Sequence, residues 1–438
     1  MDKSLKDVLN NYANLNPIRF HMPGHNGEEI SPIYASAKYD ITELGFNDNL
    51  NCPTSVIQKL ENDLAEFCGV DKTLISTAGT TTSILIGIGA LRIAGNTIGI
   101  DQFSHKSVFE AARHWGYKIK IIPRKFSKEG LPLAMEEIDL KSFLESNEDV
   151  KVVSLTSPDY FGTILNNNLY KIAHDFGCKI FVDSAHGAHY RLYKGLTSAT
   201  AYADVVAESL HKTLPVYTGG SILNIKDKTG DIINRAIMIR SKVHTTSPSY
   251  VTMMSINTAL EYQKTWISDK TYDNIYAKKL EIIKAHPNFE YLGNLEDPCK
   301  LTLNAKYEDF VKKGIYPETS FGRFTNFIIT PFNYDKLDAL NEVLYKVKPV
   351  KKASSIKIPK APKVLPKSIP NNATIKYVDL DDAIGSISAM DVGAYPPGVP
   401  VLYEGQKITK AHIEFLKKLS KDTFNLNQGK IAILNSWS

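Results

Sequence analysis

Asp183 and Lys212 are the residues on which chemistry could be built. Asp183 ends the apolar run Lys179-Ile180-Phe181-Val182, and Lys212 follows Asp204-Val205-Val206-Ala207 in Glu208-Ser209-Leu210-His211-Lys212-Thr213. Each run reads as a buried strand passing into a polar loop, where open α/β sheets place their ligands. An acid at one strand end and an amine just past the next suit pyridoxal phosphate. That cofactor needs a lysine for its Schiff base and a carboxylate to keep its pyridine nitrogen protonated. Taken singly, Lys212 reads as a solvated loop lysine and Asp183 as a strand-end cap, so the neighbours carry the case.

Thr77-Ala78-Gly79-Thr80-Thr81-Thr82-Ser83 follows the short strand Thr73–Ser76 and opens an apolar helix through Ala94. Free N–H groups and the positive end of a helix dipole make such a start a phosphate cradle. The loop lacks the Gly-Lys-Ser/Thr of a nucleotide-binding P-loop, and plain N-capping by Ser or Thr is the competing reading. His105, in Asp101-Gln102-Phe103-Ser104-His105-Lys106-Ser107, sits where another strand, Thr97–Ile100, passes into a helix. His21 and His25 have the spacing of a helical metal pair, but Pro23 and Gly24 between them break that helix and argue against zinc, in favour of a fixed loop near a polar site.

The elements that must position these residues follow from periodicity. Val56, Ile57, Leu60, Leu64 and Phe67 form a helical stripe stopped by Gly69. Lys118–Ile122 and Val150–Leu155 read as further strands, and Asn168–Phe176 as a helix. Strands alternate with helices from about residue 73 to 225, which predicts a mostly parallel sheet covered by helices: an α/β major domain. Beyond Ile225 the pattern changes. Tyr250–Trp266 reads as a long helix that could link two domains, and the rest mixes helices such as Thr271–His286 with strands such as Phe324–Thr330. The expected division is a major domain over 1–265 and a smaller α+β domain over 266–438, closed by the turn Tyr395-Pro396-Pro397-Gly398-Val399-Pro400.

The 438 residues are too many for one small core. The four cysteines show no CxxC spacing, so neither a zinc site nor a disulfide framework is indicated. The start lacks an apolar leader, and the run Ile84–Leu91 is too short to span a bilayer; a cytoplasmic protein without membrane contact is expected. The net charge of +5 is local: seven lysines and no acid lie between Lys348 and Pro370, leaving 5 − 7 = −2 for the rest. With five prolines, that stretch reads as an extended, weakly structured connector, and no nucleic-acid motif accompanies it.

The ordered set of motifs resembles the ornithine/lysine/arginine decarboxylases of the aspartate-aminotransferase fold, in their short bacterial form. It runs through Phe20-His21-Met22-Pro23-Gly24-His25, Asp40-Ile41-Thr42-Glu43, Gly79-Thr80-Thr81, the His105 loop, Asp183-Ser184-Ala185-His186-Gly187, Ser209-Leu210-His211-Lys212-Thr213-Leu214-Pro215, Thr246-Ser247-Pro248-Ser249-Tyr250 and Tyr395–Pro400. The resemblance implies fold type I, with a seven-stranded-type sheet in the major domain, and pyridoxal phosphate as cofactor. It implies decarboxylation of a basic amino acid, as in polyamine biosynthesis, by a homodimer or larger homo-oligomer with active sites at subunit interfaces.

Carried over by motif, Lys212 would bear the cofactor and Asp183 would hold its ring nitrogen. Thr80, Thr81, Ser209 and His211 would hold the phosphate. His105 would stack on one ring face and Ala185 on the other, with His186 also at the cofactor. No metal is implied. Physically, Lys212 must lose its proton to attack, and a cationic ring beside a partly buried amine favours that. Two departures bear on substrate choice: the family's Gly-Arg-Ile-Ser-Ala-Glu is Gly385-Ser386-Ile387-Ser388-Ala389-Met390, and its Pro-Gly-Glu is Glu404-Gly405-Gln406. Asp391 and Glu404 are candidates for the substrate's distal cation. An aminotransferase or lyase of the same fold, or a non-catalytic regulatory homologue, are the alternatives.

Overall fold

Seven five-residue strands, each almost wholly buried, make the central sheet of the computed structural model. They are β1 (Lys72–Ser76), β2 (Thr97–Asp101), β3 (Lys118–Ile122), β4 (Val152–Thr156), β5 (Lys179–Asp183), β6 (Val205–Ser209) and β7 (Ser221–Ile225), ordered β1-β7-β6-β5-β4-β2-β3. β2 runs parallel to β3 and β4, and β5 parallel to β6, while β7 runs antiparallel to β1 and β6. The sheet is thus mostly parallel, as the alternation of elements predicts. The structure describes residues 3–265, 269–293, 295–351, 357–370, 372–395, 397–419 and 423–436.

The chain forms two compact units. The first holds residues 1–93 and 181–276. Helix α1 (Leu5–Asn14) opens with a Ser4–Asp7 capping box, and α2 (Val56–Cys68) stops at Gly69, whose φ of +65° suits a residue without Cβ. Nothing within α2 caps its start. Instead Asp48 accepts from the N–H groups of Thr54, Ser55, Ile57 and Gln58 at 2.8–3.3 Å. Burial pushes the Asp48 carboxyl up, but these N–H donors outweigh it and hold it below the usual carboxylate range. Helix α3 (Gly79–Ala90) lies close on the sheet: a Cβ on Gly87 would fall 2.7 Å from the Phe181 ring and 3.1 Å from Val205. The helix expected over Tyr250–Trp266 covers Tyr250–Thr265 within this unit; Trp266, and with it the expected domain boundary, lies outside the described residues.

The second unit holds residues 94–180 and 277–438. Helix α4 (Lys106–His114) follows β2. Beyond residue 290 the strands are antiparallel: a four-stranded sheet includes Lys300–Leu303 and Phe324–Ile328, and two three-stranded sheets are built from chain after residue 373. The Tyr395–Pro400 turn joins the paired strands Val392–Ala394 and Val399–Leu402; Pro396 lies outside the described residues. The lysine-rich connector, of which 352–356 are likewise outside, is better fixed than its composition suggests. Ile121 N–H donates to Lys363 at 3.1 Å and Leu365 N–H to Ile119 at 3.0 Å, so the connector pairs with edge strand β3. The unpaired N–H and C=O groups of a sheet edge are a ready partner for any extended segment.

Candidate active site

In the first unit, the ends of β5 and β6 bring the expected residues together. Asp183, the last residue of β5, is buried, and its carboxylate accepts from Ala185 N–H at 3.1 Å. Burial pushes its pKa up from the ordinary value, and the Lys212 charge opposes that. Such a carboxylate is poised for a cation, since an unpaired buried charge is costly. Lys212 lies in the single helical turn Leu210–Thr213 directly after β6, with its Nζ 3.0 Å from Nε2 of the buried His186.

The start of α3 supplies the other pole. Its N-cap residue is Ala78, and no side chain caps it, which leaves first-turn N–H groups for an anion. Thr80 turns inward so that its hydroxyl meets that of Ser209; Thr81 is exposed on the same turn. Behind this turn, Gly79 N–H donates to Gly219 at 2.8 Å, and His211 Nδ1 donates to Gly220 at 3.0 Å. Gly219 has φ +96°, and a Cβ there would fall 2.8 Å from the Thr77 carbonyl oxygen. The Gly219-Gly220 pair therefore packs directly behind the start of α3, which the motif reading passed over; two adjacent glycines just before a strand were the available signal.

His105 belongs to the second unit, where it caps α4: its Nδ1 lies 2.7 Å from Ser107 Oγ and accepts from Ser107 N–H at 3.2 Å. Gly398 packs on this imidazole so closely that a Cβ would fall 2.5 Å from the ring, and Gly398 accepts from Lys106 N–H at 2.8 Å. The Gly of the C-terminal turn is thus what leaves room for His105.

A buried acid, a lysine amine after the next parallel strand and an uncapped helix start with two converging hydroxyls fit the three anchoring needs of pyridoxal phosphate. Residues 4–296 match the model of the Orn/Lys/Arg decarboxylase major domain, and residues 361–425 that of its C-terminal domain. The chain belongs to the Orn/Lys/Arg decarboxylase family. It is thereby an amino-acid decarboxylase that depends on pyridoxal phosphate. It is 27% identical to the arginine decarboxylase of Bacillus subtilis (strain 168) over 458 residues, 94% of this chain and 92% of that one. It is also 27% identical to the uncharacterized protein YaaO of that organism over 460 residues, 96% and 94% of the two chains. The constitutive lysine decarboxylase of E. coli shares the fold, with a TM-score of 0.78 over 98% of this chain and 82% of that one at 17% identity.

Within this decarboxylase, the acids considered for the substrate's distal cation have partners in the protein itself. Asp391 is buried and receives both Arg113 Nη atoms at 2.6 and 2.7 Å, and Glu404 accepts from Ile369 N–H at 2.9 Å. Arg113 in turn is held charged: burial opposes it, and Asp391 more than offsets that. The two histidines of the N-terminal loop have partners of their own, Tyr12 for His21 at 2.5 Å and Asp40 for His25 at 3.3 Å. Among the described residues, no helix is long and apolar enough to cross a membrane.

Proposed function

We propose that this decarboxylase removes the α-carboxyl group of a basic amino acid, arginine, lysine or ornithine, to release the amine and carbon dioxide. The observation that carries the reading is Asp183, buried at the end of β5, with Lys212 placed just after the neighbouring strand β6. Pyridoxal phosphate, when bound, supplies the electron sink for the pair left as carbon dioxide departs. Lys212 would hold it covalently, Asp183 would keep its ring nitrogen protonated, and Thr80, Thr81, Ser209 and His211 would hold its phosphate. The His211 Nδ1–H bond to the Gly220 carbonyl fixes the imidazole beside the start of α3. Ala185 and His105 are assigned to the ring faces by the family pattern, and His186 steadies the Lys212 amine.

Loss of the carboxyl group rather than the α-proton is supported by the arginines. A clamp holding the substrate carboxylate in the ring plane calls for the bidentate geometry of a guanidinium. Arg323 is the last arginine of the chain and the sole one after Arg240. It is taken by Glu129 through two bonds of 2.8 Å, by Glu290 and by the Val350 carbonyl. Purified protein supplied with pyridoxal phosphate and each basic amino acid in turn should yield amine and carbon dioxide in equal amounts from at least one. Keto acid formed in stoichiometric amount without carbon dioxide would overturn the reading.

A homodimer at minimum is part of the proposal. Between residues 15 and 46, Leu15, Ile18, Phe20, Met22, Ile30, Ile33 and Phe46 are all exposed, with Ile18 at 90% and Phe20 at 98%. So much apolar surface in one segment is the mark of a face that another chain covers. Joint replacement Ile18→Asp and Phe20→Asp should halve the particle mass in light scattering. A fully active monomer of the unaltered protein at assay concentration contradicts the dimer.

A further inference from the structure

Directly behind the cofactor residues, in the first unit, lies a charged pair that the proposed chemistry does not use. Side chains alternate along a strand, so Ser209 and Glu208 face opposite sides of β6. Ser209 faces the start of α3, where it meets Thr80. Glu208 is fully buried on the other side and receives Arg191 Nη2 on both oxygens at 2.5 Å. Its Oε2 also accepts from Asn224 Nδ2 at 3.0 Å, and Asn224 in turn accepts from Thr73 Oγ1 at 2.7 Å. Arg191 Nη1 donates to Cys68 Sγ at 2.6 Å, and burial, partly offset by Arg191, pushes that thiol up to about 12.

Arg191 is reached from Asp183 by an unbroken series of turns. Ser184 N–H donates to Ala207 on β6 at 2.9 Å, Gly187 N–H to Ser184 at 2.8 Å and Tyr190 N–H to Gly187 at 3.0 Å, and Arg191 lies in the next turn, Tyr190–Leu192. The segment bearing Asp183, Ala185 and His186 is therefore tied to β6 twice, once by backbone and once by this ion pair. The second tie sits one residue before Ser209 and four before Lys212. A buried ion pair adds little stability over a well-packed apolar pair of similar size. What the two converging bonds add is a fixed separation and direction, at the point where two segments must hold one ligand.

We propose that Arg191 and Glu208 form a positioning pair, which fixes the 183–186 segment against the 209–212 segment so that both grip the cofactor at once. This inference rests on the proposed placement of pyridoxal phosphate at Lys212. The test compares the unaltered holoenzyme with Glu208→Gln and with the joint replacement Glu208→Leu and Arg191→Met. Two quantities are read: the dissociation constant of pyridoxal phosphate, and the pH midpoint of the visible band of the lysine-bound cofactor.

Glu208→Gln should weaken cofactor binding by about tenfold or more, the scale at which losing a supporting partner loosens a held group, and should move the pH midpoint. Glu208→Gln leaves Arg191 without its counter-charge, and the fold could suffer. The joint replacement removes both charges at similar volume and should melt no lower than the unaltered protein, yet still bind the cofactor weakly with a moved midpoint. A joint variant with unaltered cofactor affinity and midpoint overturns the proposal and leaves the pair a purely structural role. Borohydride reduction of the unaltered holoenzyme keeps the two readings apart: a label on a lysine other than Lys212 refutes the cofactor placement itself.

Discussion

Lys212→Ala should abolish decarboxylation and leave the purified protein without the visible colour of lysine-bound pyridoxal phosphate. A lysine amine serves twice in this chemistry, as the covalent anchor and as a proton carrier beside the substrate's Cα. The loss of such a proton-transfer group alone is worth about 10²–10⁴ in rate, and loss of the anchor adds to it. The chain has many lysines, but Lys212 is the one that follows β6 directly, in the turn beside the start of α3 and 3.0 Å from His186. Borohydride reduction and peptide mapping should place the pyridoxyl group on Lys212. A label on any other lysine, or a coloured and active Lys212→Ala protein, would sink the assignment.

Asp183→Asn should lower decarboxylation by about a hundredfold or more, the scale of a lost electrostatic partner, while making the cofactor-free protein more stable near neutral pH. The two effects have one cause. Burial raises the Asp183 carboxyl above its ordinary value, with the Lys212 charge pulling the other way. The unfolded chain gives up this proton near the ordinary carboxylate pKa, the folded chain only at higher pH. Between the two values the folded state binds more protons, so stability falls as pH rises through that window, and the cost persists above it. Asparagine keeps an oxygen for Ala185 N–H and removes the charge, and with it the cost. It cannot stabilise a protonated ring nitrogen. Calorimetry of the cofactor-free variant at several pH values, beside product assays, reads both. An Asp183→Asn protein that melts lower at neutral pH, or that keeps activity within about tenfold of the unaltered enzyme, would contradict the argument.

The site was legible in the sequence to the extent that its residues sit at the ends of strands. Asp183, Ser209 and Lys212 could be placed because short apolar runs before them mark β5 and β6, and strand ends are where such sheets expose side chains. Thr80 was legible as part of a helix start, but not its turn toward the Ser209 hydroxyl, nor the exposure of Thr81. Both depend on how α3 lies on the sheet, which Gly87 permits by close approach to Phe181 and Val205. The stripe from Val56 to Phe67 marked α2, but not its cap, which is Asp48, reaching four N–H groups across an irregular loop. Local spacing carries no signal for such a cap. Asp391 and Glu404 stood open as acidic contacts for substrate, and their partners, Arg113 at 278 residues' distance and the Ile369 N–H, could only come from folding.

The sequence by itself determined the class of sheet, the alternation of strand and helix that builds it and the strand-end positions of the two residues to which the cofactor chemistry is assigned. These rest on periodicity and on residue type at strand ends, which are local properties of the chain. Tertiary structure alone decided which charges are free to act. Arg323 is withdrawn from any substrate clamp by Glu129 and Glu290, Asp391 is closed by Arg113, and Glu208 is buried against Arg191 behind the site. Each pairing joins residues far apart in sequence or on separate elements. A charge's availability depends on its desolvation and on its counter-charge, and both are set by what the fold packs around it.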